Sequence, residues 1–413
     1  MDRSTPTLLL TVTGRDRPGV TASLFECLAD LPLEVLDVEQ VVIRGRLLLG
    51  ILLTEDPDSD WLREVERTVT DLDLHLEITH TEGEGHAWSA ESKDARARSR
   101  ERSHVTVLGL PLVPAALAGV ASTIAASGAN IERIQRVARY PVTAVELQVH
   151  GADPDVLRAE LAAEAVRHGI DIAVQRSGLH RRAKRLVVMD VDSTLVQGEV
   201  VEMLAAHAGC EPQVAAITES AMRGELDFEQ SLRARVRLLK GLKASVLDDV
   251  HNELLLMPGA RTLIRTLQRL GYRTAIVSGG FSQITDALAA ELGIDHARAN
   301  ALEILDGHLT GEVVGPVVDR AAKARLLMEL AALENVPVSQ TVAIGDGAND
   351  LDMIAAAGLG IAFNAKPVLK AAADASVSVP YLDAILYLLG ISREEIEAAD
   401  DEAGITTPSP SVR

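Results

Sequence analysis

The sequence has only two cysteines, Cys27 and Cys210, in 413 residues. They are far apart, and neither stands in a Cys-x-x-Cys or Cys/His pattern. A disulfide framework and a thiolate metal site are therefore excluded, and two buried thiols in a reducing compartment are expected. Positive charge is also scarce. The 40 Lys and Arg face 60 Asp and Glu, for a formal net charge of −20 at pH 7. That balance opposes binding to nucleic acid and to anionic membranes, so an anionic ligand has to be drawn by local cations or a metal ion. Long hydrophobic runs are missing as well. No stretch approaches the roughly 18 uninterrupted apolar residues of a membrane span, and the apolar run in MDRSTPTLLLTVTG is too short for a secretory signal. A soluble cytoplasmic protein without membrane or nucleic-acid partners is the expectation.

What the chain does have is 47% hydrophobic residues, enough for substantial cores, and a length that argues for two or three domains. The charged stretch HAWSAESKDARARSRERS reads as a linker. On either side of it the chain repeats at an offset of 96 residues, pairing Pro18 with Pro114, Leu24 with Val120, Leu28 with Ile124, Val35 with Ile131 and Val38 with Ile134. Each copy reads as strand, loop, amphipathic helix, strand, strand. The helix rests on Val20, Leu24, Phe25 and Leu28, and the alternation from Val35 to Val41 reads as a half-buried strand. From Arg185 onward the pattern changes. LVVMDVD, RTAIVSGG, VAIGDG, GLGIAF and ASVSVP are short apolar strands separated by helical patterns, which argues for a parallel α/β sheet with its site at the carboxyl ends of the strands.

The polar clusters fall at those strand ends. They are Asp190-Val191-Asp192-Ser193-Thr194, then Ser278-Gly279-Gly280, then Lys323, then Gly345-Asp346-Gly347-Ala348-Asn349-Asp350. Two acids at alternate positions after a buried strand are costly unless a cation compensates them. The ordered set resembles the haloacid-dehalogenase superfamily of aspartate-nucleophile phosphotransferases over about residues 183–392. The resemblance implies that Asp190 attacks phosphorus and that Asp192 acts as general acid and base. It implies that Mg²⁺ lies between the Asp190 carboxylate, the Asp192 backbone oxygen and the Asp346 carboxylate. Ser278, the Gly279 N–H and Lys323 would bind the phosphoryl group, Asn349 the substrate, and Asp350 would orient the metal surroundings or Lys323. For Lys323 a solvated helix lysine is the alternative.

Residues 200–274, helical in pattern, stand where that superfamily carries a lid. Within them Met222, Phe228 and Arg235, together with Glu199, make the chain similar to the phosphoserine phosphatases of the superfamily. The substrate implied is O-phospho-L-serine. A phosphorylated amino acid offers an ammonium, which Glu199 can take, and a carboxylate, which Arg235 can clamp, beside an apolar wall of Met222 and Phe228. The alternatives are a helix-start acid for Glu199 and a solvated position for Arg235.

The loop Gly14-Arg15-Asp16-Arg17-Pro18-Gly19 resembles the ligand loop of the amino-acid-binding ACT domain, over about residues 6–85, with a second copy at about 103–178 that lacks the Asp-Arg pair. The resemblance implies an effector such as serine at Gly14, Asp16, Arg17, Pro18 and Gly19, and a homo-oligomer, most simply a two-fold dimer. A tight turn into a helix is the alternative for the loop.

The expected fold class is α/β, a Rossmann-like parallel sheet with a helical cap, preceded by two ferredoxin-like α+β domains. The expected boundaries are 1–85, a linker at 86–102, 103–178, a phosphatase domain at 179–392 with its cap at about 200–274, and an acidic, partly disordered tail at 393–413. The expected reaction is Mg²⁺-dependent hydrolysis of O-phospho-L-serine through a phosphoaspartate, as the last step of serine biosynthesis. Two alternatives stay open: the same mechanism on another small phosphate monoester or transfer to an alcohol, and an amino-acid sensor with a vestigial phosphatase half.

Overall fold

Alternating apolar residues set the first unit. The computed structural model describes residues 7–29, 31, 33–54, 61–81, 102–178, 181 and 183–408, except the side chains of Thr81 and Met222. The linker expected at 86–102 lies outside them apart from Arg102, and the chain forms two units, Met1–Ala97 and Arg98–Arg413. In the first, β1 (Thr7–Arg15), α1 (Val20–Leu28), β2 (Val35–Ile43), β3 (Arg46–Thr54), α2 (Trp61–Asp71) and β4 (Leu74–Thr81) make an antiparallel sheet in the order β2-β3-β1-β4. Leu8, Leu10 and Val12 of β1 and Leu49, Ile51 and Leu53 of β3 share a core with Val20, Leu24 and Leu28 of α1 and Trp61, Val65 and Val69 of α2. Their spacing of two along a strand and three or four along a helix places them on one face of each.

The second unit begins with the same pattern. Strand β5 (Arg102–Gly109), α3 (Pro114–Ala126), β6 (Asn130–Ala138), β7 (Thr143–His150), α4 (Pro154–His168) and β8 (Asp171–Arg176) give the order β8-β5-β7-β6. Helix α4 starts where Asp153 accepts from the Asp155 N–H and Pro154 occupies the first turn, and it stops at the left-handed Gly169.

This second copy, expected as a domain at 103–178, continues the sheet that follows. Strand β8 pairs antiparallel with the last strand of that sheet through Ala173 and Ala375. Its helix-free face, with Leu108, Val142, Ala144 and Ala173, shares a core with Leu382, Ile385 and Leu388. An apolar open face needs a cover, and the chain's own later segment provides it.

The sheet beyond is built on β9 (Leu186–Met189), whose residues are all 0% exposed. Four helices follow, α5 (Val200–Ala208), α6 (Glu211–Met222), α7 (Phe228–Arg237) and α8 (Val246–Glu253), then α9 (Ala260–Arg269), β10 (Arg273–Phe281) and α10 (Ser282–Leu292). Next come β11 (His296–Leu305), β12 (His308–Val314), α11 (Arg320–Leu333), β13 (Thr341–Gly345) and α12 (Leu351–Ala356). The chain closes with β14 (Gly360–Phe363), α13 (Pro367–Ala372), β15 (Ala375–Val377), α14 (Ile385–Leu388) and α15 (Arg393–Glu402). Strands β11, β10, β9, β13, β14 and β15 lie side by side and parallel, and β12 returns antiparallel along β11.

One expected boundary moves. The cap core gathers Val200, Leu204, Leu232, Val236 and Val250 with Leu302, Leu309 and Val313 of the β11–β12 hairpin. Helix α9 instead contributes Ala260, Leu263 and Leu267 to the main core, so the cap ends before residue 260 rather than at 274. The acidic segment from 393 begins with α15, which has a capping box at Ser392 and Glu395 and buries Arg393, Ile396 and Asp400. Cys210 is buried, while Cys27 is only half-buried. Among the described residues no helix is long and apolar enough to cross a membrane.

Candidate active site

The β9–β13 ladder extends one residue past the strand, with the Asp190 N–H donating to the Ile344 carbonyl at 2.9 Å. Asp190 is thereby held at the carboxyl edge of the sheet. The chain then turns sharply. The Val191 carbonyl accepts from the N–H groups of Thr194, Leu195 and Val196, and Ser193 takes a left-handed φ of 56°. This turn brings Asp190, Asp192 and Glu199 to one cavity of about 380 Å³. Phe228 and Arg235 of α7 line it from the cap, Gly279 and Gly280 from β10, and Asp346, Asn349 and Lys366 from the other strand ends.

Carboxylate oxygens of Asp190, Asp346 and Asp350 lie within 4.8 Å of one another. Lys323, 1% exposed, places its ammonium 2.7 Å from both Asp190 and Asp350. Burial alone would lower the lysine's pKa, but the two carboxylates outweigh it and raise it. One ammonium does not balance three acids. Burial and the Asp190 charge push Asp346 up to about 6 and Asp350 up to about 7. A site that makes carboxylates this reluctant to ionise calls for a further cation. The donors are all hard oxygens, which suits a small divalent ion such as Mg²⁺. Asp350 accepts from Lys323 and from the Gly347 N–H, and Asp190 accepts from the Val191 N–H beside its own Lys323 pair, so Asp346 is the least engaged of the three.

Asp192 accepts from the Val200 N–H at 2.9 Å. Burial first, then the charges of Glu199 and Asp190, push it up to about 7. A carboxyl that holds its proton near neutrality can donate one to a leaving group and later take one from water. Ser278 is fully buried, accepting from the Gly280 N–H at 2.8 Å and facing Asp192 at 3.5 Å. It lies behind the cavity lining, which at this point is made by Gly279 and Gly280.

Helix α7 carries the cap side of the site. Its start is fixed by a capping box between Asp227 and Gln230, which puts Phe228 in the first turn. A Cβ on Gly279 would come within 2.8 Å of the tip of the Phe228 ring, so the ring packs directly on this glycine and would have to shift to admit a side chain. Two turns along, Arg235 is half-buried. Burial lowers its pKa, partly offset by Glu199, Asp192 and Glu202, and its Nε donates to the Ser231 carbonyl at 3.4 Å. Burial and Asp190 raise Glu199, while Arg235 lowers it. The cavity thus offers one acid and one base away from the carboxylate cluster.

The Met222 side chain lies outside the described residues. In the first unit the loop from Gly14 to Gly19 joins β1 to α1. The Asp16 N–H donates to the Gly45 carbonyl at 2.8 Å, Arg17 donates to the Leu72 carbonyl, and Gly19 caps α1 with a φ of 95°.

Two residues at the site were not read from the sequence. Asn300 is 1% exposed and holds the Gly279 carbonyl at 2.8 Å while accepting from the Val318 N–H. It lies in β11, whose mixed polarity gave no strand signal. Lys366 follows the end of β14, and the rule that sites gather at strand ends would have singled it out.

Comparison with known proteins agrees with this geometry. The haloacid dehalogenase-like hydrolase family matches residues 187–355, and ACT domain families match residues 6–79 and 102–175. The chain is 60% identical to a phosphoserine phosphatase of Streptomyces coelicolor, covering 96% of this chain and 95% of that one. It is 54% identical to a phosphoserine phosphatase of Mycobacterium tuberculosis, covering 95% of each. Among solved structures, a probable phosphoserine phosphatase of Vibrio cholerae in unliganded form superposes with a TM-score of 0.56 at 35% identity, over 74% of this chain and 90% of that one.

Proposed function

The chain belongs to the phosphoserine phosphatases of the haloacid dehalogenase-like hydrolases, and from that footing we propose that it hydrolyses O-phospho-L-serine to L-serine and phosphate through a phosphoaspartate on Asp190, as the last step of serine biosynthesis. The observation that carries the substrate assignment is that Glu199 and Arg235 line the same cavity as Asp190 and Asp346.

In the first half-reaction an Asp190 oxygen bonds to phosphorus as the P–O bond to the serine oxygen breaks, and the Asp192 proton passes to that oxygen. In the second, Asp192 takes a proton from water, the water oxygen bonds to phosphorus, and the bond to Asp190 breaks. Lys323 holds Asp190 in place through its ion pair and offers positive charge to the phosphoryl oxygens. The Gly279 and Gly280 backbone approaches the phosphate, and Ser278 fixes that turn and Asp192 together. Asn349, 3.4 Å from Asp190, contacts substrate. Mg²⁺, held by the Asp190 and Asp346 carboxylates and the Asp192 backbone oxygen, would screen the phosphate charge from the attacking carboxylate. Glu199 takes the substrate ammonium and Arg235 its carboxylate, while Phe228 excludes water.

The first ACT domain belongs to the same reading, with an amino acid such as serine at Gly14, Asp16, Arg17, Pro18 and Gly19. Pairing of two copies through ACT sheets is supported by β2, an edge strand of its sheet with Val38, Val41 and Ile43 exposed. The vestigial-sensor alternative is disfavoured because Asp190, Asp192, Asp346 and Asn349 line one cavity and Lys323 pairs with Asp190 behind it.

The test is a panel of small phosphate monoesters with Mg²⁺. At least tenfold higher kcat/KM for O-phospho-L-serine than for the others is expected, and equal rates across the panel would remove the substrate assignment.

A further inference from the structure

Of the cations near the cavity, Lys323 is buried behind its lining between two carboxylates and Arg235 is half-buried on the cap. Lys366 differs from both. It lines the cavity and is exposed, and among the described residues its ammonium has no hydrogen bond or ion pair. The backbone that carries it is held on every side. Asn364 turns the chain with a left-handed φ of 44°, and its N–H donates to the Val377 carbonyl at 2.8 Å. Ala365 is buried, the Lys366 N–H donates to the Asp346 carbonyl at 3.3 Å, and Leu369 beyond is 0% exposed. A fixed root with a free charged tip is an arrangement for meeting something that arrives from solvent.

What arrives is repelled by its surroundings. The chain carries −20, and Asp190, Asp192, Glu199 and Asp346 face the cleft. A phosphate monoester dianion entering between them needs a cation at the mouth that is not already neutralised. We propose that Lys366 captures the incoming phosphate dianion at the cleft entrance and hands it to the Asp190 centre. This rests on the reading that the cavity takes a phosphate monoester.

Capture and chemistry separate kinetically. Lys366→Ala is expected to raise KM about fivefold at low ionic strength with kcat unchanged, to flatten the rise of KM with salt, and to be rescued by Lys366→Arg. Calorimetry on Asp190→Asn protein, where turnover is blocked, is expected to show O-phospho-L-serine binding about fivefold weaker when Lys366→Ala is added. If the wild type hydrolyses the substrate but Lys366→Ala has the same KM, or a lower kcat at unchanged KM, the capture role is overturned while the active-site reading stands. If the wild type turns over no phosphate monoester, the reading beneath it falls.

Discussion

The floor of the cleft and its cap are built differently. Asp190 and Asp192 follow β9, Gly279 and Gly280 end β10, and Asp346 follows β13, so each floor group hangs from a hydrogen-bonded ladder in the middle of the sheet. Phe228 and Arg235 hang from α7, which is held by side-chain packing of Leu232 and Val236 within a separate core. A ladder sets backbone positions tightly, which suits bond making, whereas packed helices can vary without disturbing the ladder. The difference fits the division of labour in the proposed function, with the chemistry in the floor and the identity of the substrate in the cap.

The predictions probe that division, from the largest effect to the smallest. Asp190→Asn should lower kcat by at least ~10⁴-fold for every phosphate ester, since it removes the proposed nucleophile that all of them would share. Stopped assays on several substrates would check that the loss is uniform. Asp192→Asn should cost ~10²–10⁴-fold in kcat, and less on esters whose leaving group is already acidic, such as a nitrophenyl phosphate. An equal loss on both ester types would argue that Asp192 does not transfer the proton. Phe228→Ala, on the cap, should raise KM for O-phospho-L-serine about tenfold through lost apolar contact and water entry.

The smallest effect on rate is expected at Asp400, which lies in neither half of the cleft. Burial disfavours its charge, yet hydrogen bonds from Arg265, Thr407 and Arg269 hold its carboxyl down at about 2. A folded value below the unfolded one of 3.8 contributes about 2 kcal/mol of stability, present above pH 4 and lost as the pH falls through 2. Asp400→Asn should therefore lower Tm and leave the pH 7 rate per folded molecule unchanged.

The floor was legible because each of its motifs is contiguous and sits at a strand end. The repeat was legible because the same apolar spacing recurs 96 residues on. The fusion of the second ACT domain into the larger sheet was not, since it depends on Ala173 meeting Ala375 and on Leu108 and Ala144 finding a cover far along the chain. The end of the cap is hidden in the sequence for a related reason. Helix α9 has the same periodicity as α7, and only packing assigns Leu263 and Leu267 to the main body. The β11–β12 hairpin mixes polar and apolar residues, so its share in the cap core escaped the pattern, and Asn300 with it.

The most direct test of the division between floor and cap is the specificity ratio of Arg235→Ala. The account predicts that kcat/KM falls ~10²-fold for O-phospho-L-serine and changes less than about threefold for a phosphate monoester lacking the ammonium and carboxylate. A loss of the same size on both substrates would contradict it.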